Sequence, residues 1–154
     1  MDSIRPGAPR SRRRHPTRAL CAVGLAAFLA MAAIAAPMAL ARGGKTVAGE
    51  ATAPKLHKTV LTDTKGLTLY TLSGETHGRF ICTGACLSAW PPLIVSPGTT
   101  PKGPVRLGTI KRPEGKTQVT YRGMPVYTFS GDSRKGEANG EGLKDVGVWH
   151  AVTP

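Results

Sequence analysis

Two cysteines that stand four residues apart, Cys82 and Cys86, are the side chains of this sequence with the most direct chemistry. If residues 83–85 form a helical turn, the two Cα atoms come within the roughly 4.4–6.8 Å that a disulfide spans. As free thiolates, joined by a histidine such as His77 or His150 and by the thioether of Met124, the same pair would suit Cu(I) or would act in thiol redox exchange. The spacing predicts a disulfide, and a copper or thiol-redox site is the alternative.

A second candidate is a short phrase that occurs twice, as YTLSGE at residues 70–75 and as YTFSGD at residues 127–132. A tyrosine buried on a strand needs a hydrogen-bond partner for its hydroxyl. The acid five residues later could fold back to accept that proton or to bind backbone N–H groups of the turn. We therefore predict two tyrosine–acid corners that close two related hairpins. The alternative is that both carboxylates converge on one site for a cation or a proton-bearing ligand. The motif residues are Tyr70, Glu75, Tyr127, Phe129 and Asp132.

Other groups that could take part in catalysis are scattered along the chain. His57, His77 and His150 could each be a general base, but their spacing matches no ligand or catalytic pattern. The sequence has no phosphate-binding loop, no paired-histidine metal motif and no nucleophile elbow. The acids between Asp132 and Asp145 do not follow the ligand order of an EF-hand. We therefore predict that the protein is not an enzyme and holds no cofactor, with copper as the alternative.

Residues 1–41 have the layout of a bacterial secretory signal. Six arginines precede an almost uncharged apolar run from Ala19 to Ala41, and Ala39-Leu40-Ala41 supplies the small residues that a signal peptidase needs. We predict cleavage before Arg42, which would place the protein in the periplasm or the medium. An uncleaved membrane anchor is the alternative, because the apolar run is nearly long enough to span a bilayer. Cleavage would also remove Cys21 and leave an even pair of cysteines.

The chain is strongly basic, with 21 Lys and Arg against nine Asp and Glu and a formal net charge of +12. Such a surface attracts lipid headgroups, acidic glycans or nucleic acid, although it also serves solubility alone. Few aromatic residues lie between the positive charges. We therefore predict no nucleic-acid partner, and membrane contact only through an uncleaved signal segment. The predicted partner is an envelope protein or a small ligand.

The remaining patterns predict a mainly β fold. Residues 42–54 are small, polar and Gly-rich, and we predict a flexible lead-in to a domain over residues 55–154. Apolar and β-branched residues flank turns at 63–66 and 122–123, which predicts two hairpins. A short helix is predicted from Leu87 to Trp90, after the cysteine turn. The result is a small antiparallel β domain of two related hairpin units with one short helix. Further strands are predicted at residues 105–110 and 148–152.

The second phrase fits the motif Tyr-x-(Phe/Trp/Tyr)-x-x-Asp in full, whereas the first departs from it with Leu72 and Glu75. Together with CTGACLSAWPPL, QVTYRGMPVYTF and GVWHAV, the stretch from Lys58 to Val152 resembles the bacterial secreted repeat proteins, which are often predicted lipoproteins. The resemblance implies an exported protein of largely unknown function, without established catalytic residues and with a weak association with alkane catabolism. Because no lipid-accepting cysteine follows the apolar run, this member is expected to be soluble. We predict an exported, non-enzymatic envelope module that binds a partner or ligand.

Overall fold

The structure is a computed structural model that describes residues 43–154. The predicted signal peptide, residues 1–41, and its cleavage before Arg42 lie outside the described residues. The described chain is mainly β, with small antiparallel sheets and one short α-helix, which confirms the predicted fold class. The helix α1 spans Cys86–Ala89, and a 3₁₀ turn spans Pro54–Leu56. The strands are β1 (Lys45–Thr46), β2 (Ala48–Ala53), β3 (Lys58–Asp63), β4 (Tyr70–Leu72), β5 (Ile94–Val95), β6 (Pro101–Lys102), β7 (Leu107–Lys111), β8 (Thr117–Tyr121), β9 (Met124–Pro125) and β10 (Trp149–Ala151).

Two hairpins begin two structurally equivalent units. Strands β2 and β3 pair antiparallel along their whole length in the first, and β7 and β8 do so in the second. After each hairpin the chain turns at a glycine with positive φ, Gly66 at 90° and Gly123 at 79°, a conformation that favours glycine. A Cβ at Gly123 would also lie 2.6 Å from Nε2 of His77. We call residues 48–93 the first repeat and residues 107–152 the second repeat.

The two repeats exchange their last segments. Tyr70 and Tyr127 form the central contact, since the backbone N–H of each donates to the carbonyl oxygen of the other at 2.8 and 2.9 Å. Strand β10, at the end of the second repeat, pairs with β4 of the first. Residues 91–93, at the end of the first repeat, run beside residues 126–128 of the second. Each repeat therefore completes its sheet with a segment of the other.

The largest aromatic side chains pack at this junction. Trp90 and Trp149 are buried and stack with ring centroids 3.7 Å apart. Tyr70 packs edge-on against Trp90, and Tyr127 packs edge-on against Trp149. Edge-on and offset arrangements suit the charge distribution of aromatic rings and add to the stability gained from burial alone. The tyrosine of each phrase thus belongs to the core that joins the two repeats.

The segment before the first hairpin is part of the fold. Strand β1 pairs parallel with β6, and β2 pairs with β3. Val47, Ala48, Ala51 and Ala53 are buried. The prediction of a flexible lead-in over residues 42–54 is therefore wrong from Lys45 onward. Small side chains on alternate positions of β2 let it pack closely on the core, although they carry little strand propensity themselves.

Within residues 43–154, no helix combines the length and apolar character needed to cross a membrane.

Candidate functional site

The motif tyrosines and acids pair across the two repeats. The hydroxyl of Tyr70 donates to Oδ2 of Asp132 at 2.6 Å, and the hydroxyl of Tyr127 donates to Oε2 of Glu75 at 2.8 Å. All four side chains are buried. The prediction that each acid folds back onto the tyrosine of its own phrase is wrong about the partner. Because the repeats exchange segments at the Tyr70–Tyr127 contact, each acid lies beside the other repeat's tyrosine.

The Asp132 pair accepts hydrogen bonds from uncharged backbone groups. Oδ1 of Asp132 accepts the N–H of Asn139 at 2.9 Å, and the hydroxyl of Tyr70 accepts the N–H of Gly140 at 3.3 Å. Burial raises the pKa of Asp132, although the bonds from Tyr70 and Asn139 oppose the shift. Burial, reinforced by the bond to Asp132, also raises the pKa of Tyr70, so its hydroxyl remains a proton donor.

The Glu75 pair is bonded to a buried cation. Oε1 of Glu75 accepts the N–H groups of Ile81 and Cys82 at 2.6 and 2.7 Å. The hydroxyl of Tyr127 donates to Oε2 of Glu75 and accepts from Nη1 of Arg112 at 3.1 Å. Burial raises the pKa of Tyr127, and the Glu75 carboxylate adds to the shift while Arg112 opposes it. Tyr127 therefore links a buried carboxylate to a buried guanidinium.

Arg112 is a site residue that the sequence reasoning missed. It is 2% exposed, and it donates to Oε1 of Gln118 at 2.5 Å and to the carbonyl oxygen of Cys82 at 2.9 Å. It also pairs with Glu114 at 3.0 Å and covers the ring of Phe80, with 4.7 Å from the guanidinium carbon to the ring centroid. Burial alone would lower the pKa of Arg112, but its hydrogen bonds, above all with Glu114, outweigh burial and raise it. The cation therefore stays charged.

A comparison of the repeats could have pointed to this cation. Ala53-Pro54 leaves the outer strand of the first hairpin where Arg112-Pro113 leaves that of the second. Ala53 packs in an apolar cluster with Val60 and Ala138, whereas the same place in the second repeat is polar. A charged residue where the other copy has alanine is a sequence signal, but its burial is visible only in the structure.

The cysteine pair is a disulfide, as predicted, with 5.3 Å between the two Cα atoms. Both sulfurs are therefore occupied, and the copper or thiol-redox alternative would first need Cys82 and Cys86 to be reduced. Within residues 43–154, no group of three or more His, Cys, Asp or Glu side chains is placed to hold a metal. His77 donates its backbone N–H to the carbonyl oxygen of Gly123 at 3.1 Å, and Met124 begins β9. Both residues thus lie at the turn of the second repeat.

The three histidines are exposed and lie on separate elements. His57 and His77 occupy turns with φ of 52° and 40°. His150 lies on β10, with Nδ1 at 3.2 Å from Oε1 of Glu141. Glu141 is itself oriented by the N–H of Ala151, which donates to its Oε2 at 2.6 Å.

Asp145 joins the two tryptophans on their outer side. Its carboxylate accepts Nε1–H of Trp149 at 2.8 Å and Nε1–H of Trp90 at 3.0 Å. Partial burial would raise the pKa of Asp145, but the bonds from Trp149, the backbone and Trp90 outweigh burial and lower it. Phe129, the third aromatic of the motif, packs on Trp90 with 4.4 Å between ring centroids. The motif's aromatic position therefore serves the core.

Asp132 and Asp145 should give the stability of the fold opposite pH dependences. The folded pKa of Asp132 is raised, so its stabilising contribution is fully present below an unfolded pKa of about 3.9 and is lost as the pH rises through the folded value. The folded pKa of Asp145 is lowered, so its contribution is present above about pH 3.9 and is lost as the pH falls.

The measurement is the free energy of unfolding of the native sequence, Asp132→Asn and Asp145→Asn across the acidic and neutral range. The difference between native protein and Asp132→Asn should fall with rising pH, and the difference between native protein and Asp145→Asn should rise. Two differences that slope in the same direction would contradict the two assignments.

Comparison with known proteins identifies one family. Residues 108–153 match the family model Lipoprotein_15, described as a secreted repeat of unknown function, which confirms the resemblance over the second repeat. No curated protein and no solved structure matches the chain. The first repeat lies outside the matched residues, yet it has the same hairpin, glycine turn, tyrosine strand and tryptophan as the second.

Proposed function

We propose that this secreted repeat protein is a non-enzymatic envelope module that binds an anionic ligand through its surface cations. The observation that supports this proposal is a separation of charge. All but one of the described acids are bonded within the fold, whereas all but one of the described Lys and Arg side chains project into solvent. A surface of this kind attracts anions and raises their rate of encounter with the protein.

The acids of the described chain are occupied in three ways. Glu75 and Asp132 are buried in the tyrosine pairs. Asp145 accepts from the two indoles, and Glu114 pairs with Arg112. The rest, apart from Glu50, bond backbone N–H groups; they are Asp63, Glu137 and Glu141. Most of the negative charge is thus partly screened by fixed N–H donors and is held in place.

The cations have the opposite distribution. Every Lys and Arg of residues 43–154 is exposed except Arg112. Among the described residues, the ion pairs of Lys and Arg with acids are Arg112–Glu114 and Arg134–Glu137, the latter at 3.5 Å. An exposed pair of this length holds little energy and opens readily to another anion. The remaining cations have no such partner and are available to a ligand.

The motif itself supports a binding module rather than an enzyme. Catalytic acids and bases must reach the reacting atoms. Both tyrosine–acid pairs are instead buried and bonded to protein groups that join the repeats. These pairs fix the relative position of the two repeats. The ligand then contacts the exposed surface of the repeats.

Binding of three anionic probes tests the proposal: polygalacturonate, a short DNA duplex, and vesicles of phosphatidylglycerol and phosphatidylcholine in equal parts. We expect saturable binding of at least one probe at about 50 mM salt and clearly weaker binding at about 200 mM, because the attraction is ionic. Uncharged dextran and vesicles of phosphatidylcholine alone are the controls. A protein that binds none of the charged probes at low salt would overturn the proposal.

A further inference from the structure

We infer that a row of basic side chains contributed by both repeats is the ligand site, and that its ligand is a linear acidic polysaccharide. This inference rests on the proposed function and gives it a place and a chemical class. The row, which we call the cationic track, consists of Lys55, Lys58, Lys65, Arg134, Lys135 and His150.

Three neighbouring grooves make the track continuous. Lys65 and Lys135 line a groove of about 330 Å³, and Lys135 also lines a second groove of about 320 Å³ with Lys55 and Arg134. A third groove of about 310 Å³ is lined by Lys58 and His150. Residues 54–58 run from the second groove to the third. The six basic side chains of the track therefore line adjoining grooves.

The acids along this path compete only weakly with a bound anion. Asp63 accepts the N–H groups of Lys65 and Leu67 at 2.8 and 2.9 Å. Glu137 accepts those of Ser133 and Arg134 at 2.6 and 3.0 Å, which lowers its pKa. Glu141 is bonded to the N–H of Ala151, as described above, and Glu50 in the first groove is the one acid of the track without such a bond.

The loop that carries Arg134 and Lys135 is fixed before any ligand binds. Gly136 donates its N–H to the carbonyl oxygen of Gly66 at 3.1 Å, and the hydroxyl of Thr68 donates to the carbonyl oxygen of Glu137 at 2.5 Å. A φ of 73° at Gly136, with Thr52 only 2.2 Å from where a Cβ would lie, brings the loop against β2. A site ordered in advance loses less conformational entropy on binding.

The lining favours a sugar polymer over an anionic membrane and over single-stranded nucleic acid. A row of grooves suits a chain, whereas an anionic membrane presents a flat surface. The lining contains no Phe, Tyr or Trp on which bases could stack, which disfavours single-stranded nucleic acid. It does offer exposed hydroxyl and amide groups for sugar hydroxyls, from Thr46, Thr64, Asn139 and Thr153. Carboxylates spaced along a polysaccharide would contact the basic side chains in turn.

The equivalent loop and strand positions of the other copy carry less positive charge. The loop after Glu75 carries His77 and Gly78 where the loop after Asp132 carries Arg134 and Lys135. Pro91 follows Trp90 where His150 follows Trp149. Exposed cations also lie away from the three grooves, and three of them, Arg79, Arg106 and Lys111, make no side-chain hydrogen bond or ion pair within the described fold.

The test compares two triple variants of the exported protein for binding to polygalacturonate. The track variant is Lys55→Gln/Lys58→Gln/Lys135→Gln, and the control is Arg79→Gln/Arg106→Gln/Lys111→Gln, so that both lose three positive charges. We expect affinity to fall by about tenfold or more in the track variant and by less than about threefold in the control. Thermal unfolding should show both variants folded, because all six side chains are exposed.

Each other outcome has a definite meaning. Equal losses in the two variants would overturn the track and leave the proposed function standing, since binding would then follow total charge. Tighter binding of the DNA duplex or the anionic vesicles than of polygalacturonate would overturn the polysaccharide as the ligand class. Native protein that binds no anionic probe would overturn both this inference and the proposed function.

Discussion

Replacing Arg112 with methionine should lower the free energy of unfolding by about 3 to 5 kcal/mol, the cost typical of removing one partner from a buried charged network. The substitution keeps much of the apolar volume but removes donors from Gln118, Tyr127 and the carbonyl oxygen of Cys82. It also leaves the buried carboxylate of Glu75 without the nearby positive charge that reaches it through Tyr127. An unsatisfied buried acceptor costs more than its hydrogen bond contributed.

Urea unfolding without reductant measures the effect, with Lys111→Met as the control because Lys111 is the exposed residue beside Arg112. The control should change the free energy of unfolding by less than about 0.5 kcal/mol, as is usual for the surface. A loss below about 1 kcal/mol in Arg112→Met would show that Glu75 and Gln118 find other partners or water.

The first repeat shows how the fold manages without this cation. Ala53 and Val60 fill the corresponding place with an apolar cluster. In the second repeat Gln118 lies 0% exposed and donates to the carbonyl oxygen of Val126 at 2.8 Å, so its amide depends on Arg112 only for its oxygen. The two repeats therefore share the same strand pairs, but an apolar cluster in the first repeat is replaced by a buried polar network in the second.

Local patterns in the sequence were sufficient for the two hairpins, the short helix and the disulfide. The turn glycines, Gly66 and Gly123, and the alternation that follows them place strands and tyrosines correctly, because both depend on neighbouring residues. The four-residue spacing of Cys82 and Cys86 likewise limits the pair to a local bridge. These signals act over a few residues, so a single sequence contains all of them.

The pairing of tyrosines with acids depends on contacts that sequence patterns do not encode. Tyr70 and Asp132 are 62 residues apart, and Glu75 and Tyr127 are 52 apart. Strand alternation fixes which way a tyrosine points but leaves open which repeat supplies its acceptor. The strand in residues 48–53 was missed for a similar reason, since β3 provides its hydrogen bonds and the core provides the space for its alanines.

The residues that the two repeats share differ in location from the residues in which the repeats differ. Of the shared residues, the tyrosines and tryptophans pack in the junction, and the acids are hydrogen-bonded to those tyrosines. Outside the junction the copies differ: Arg134, Lys135 and His150 correspond to His77, Gly78 and Pro91. The shared residues thus hold the two repeats together, while the surface residues outside the junction are free to differ in charge between the copies.

A double-mutant cycle should show that each tyrosine is coupled to the acid of the other repeat. Tyr70→Phe and Asp132→Ala should each cost about 1 to 3 kcal/mol, because each leaves a buried polar partner unsatisfied. Their combination should cost less than the sum by about 1 kcal/mol or more, since the second change removes the orphaned partner. Tyr127→Phe and Glu75→Ala should behave in the same way.

The control cycles pair each tyrosine with the acid of its own phrase, Tyr70 with Glu75 and Tyr127 with Asp132. These pairs share no hydrogen bond, so their losses should add to within about 0.5 kcal/mol. Coupling in these cycles, with additivity in the cross-repeat cycles, would mean that each phrase closes on itself and that the segments are not exchanged. Coupling only across the repeats would show in solution that the repeated phrase exists to join the two copies, because neither tyrosine can then be satisfied within its own repeat.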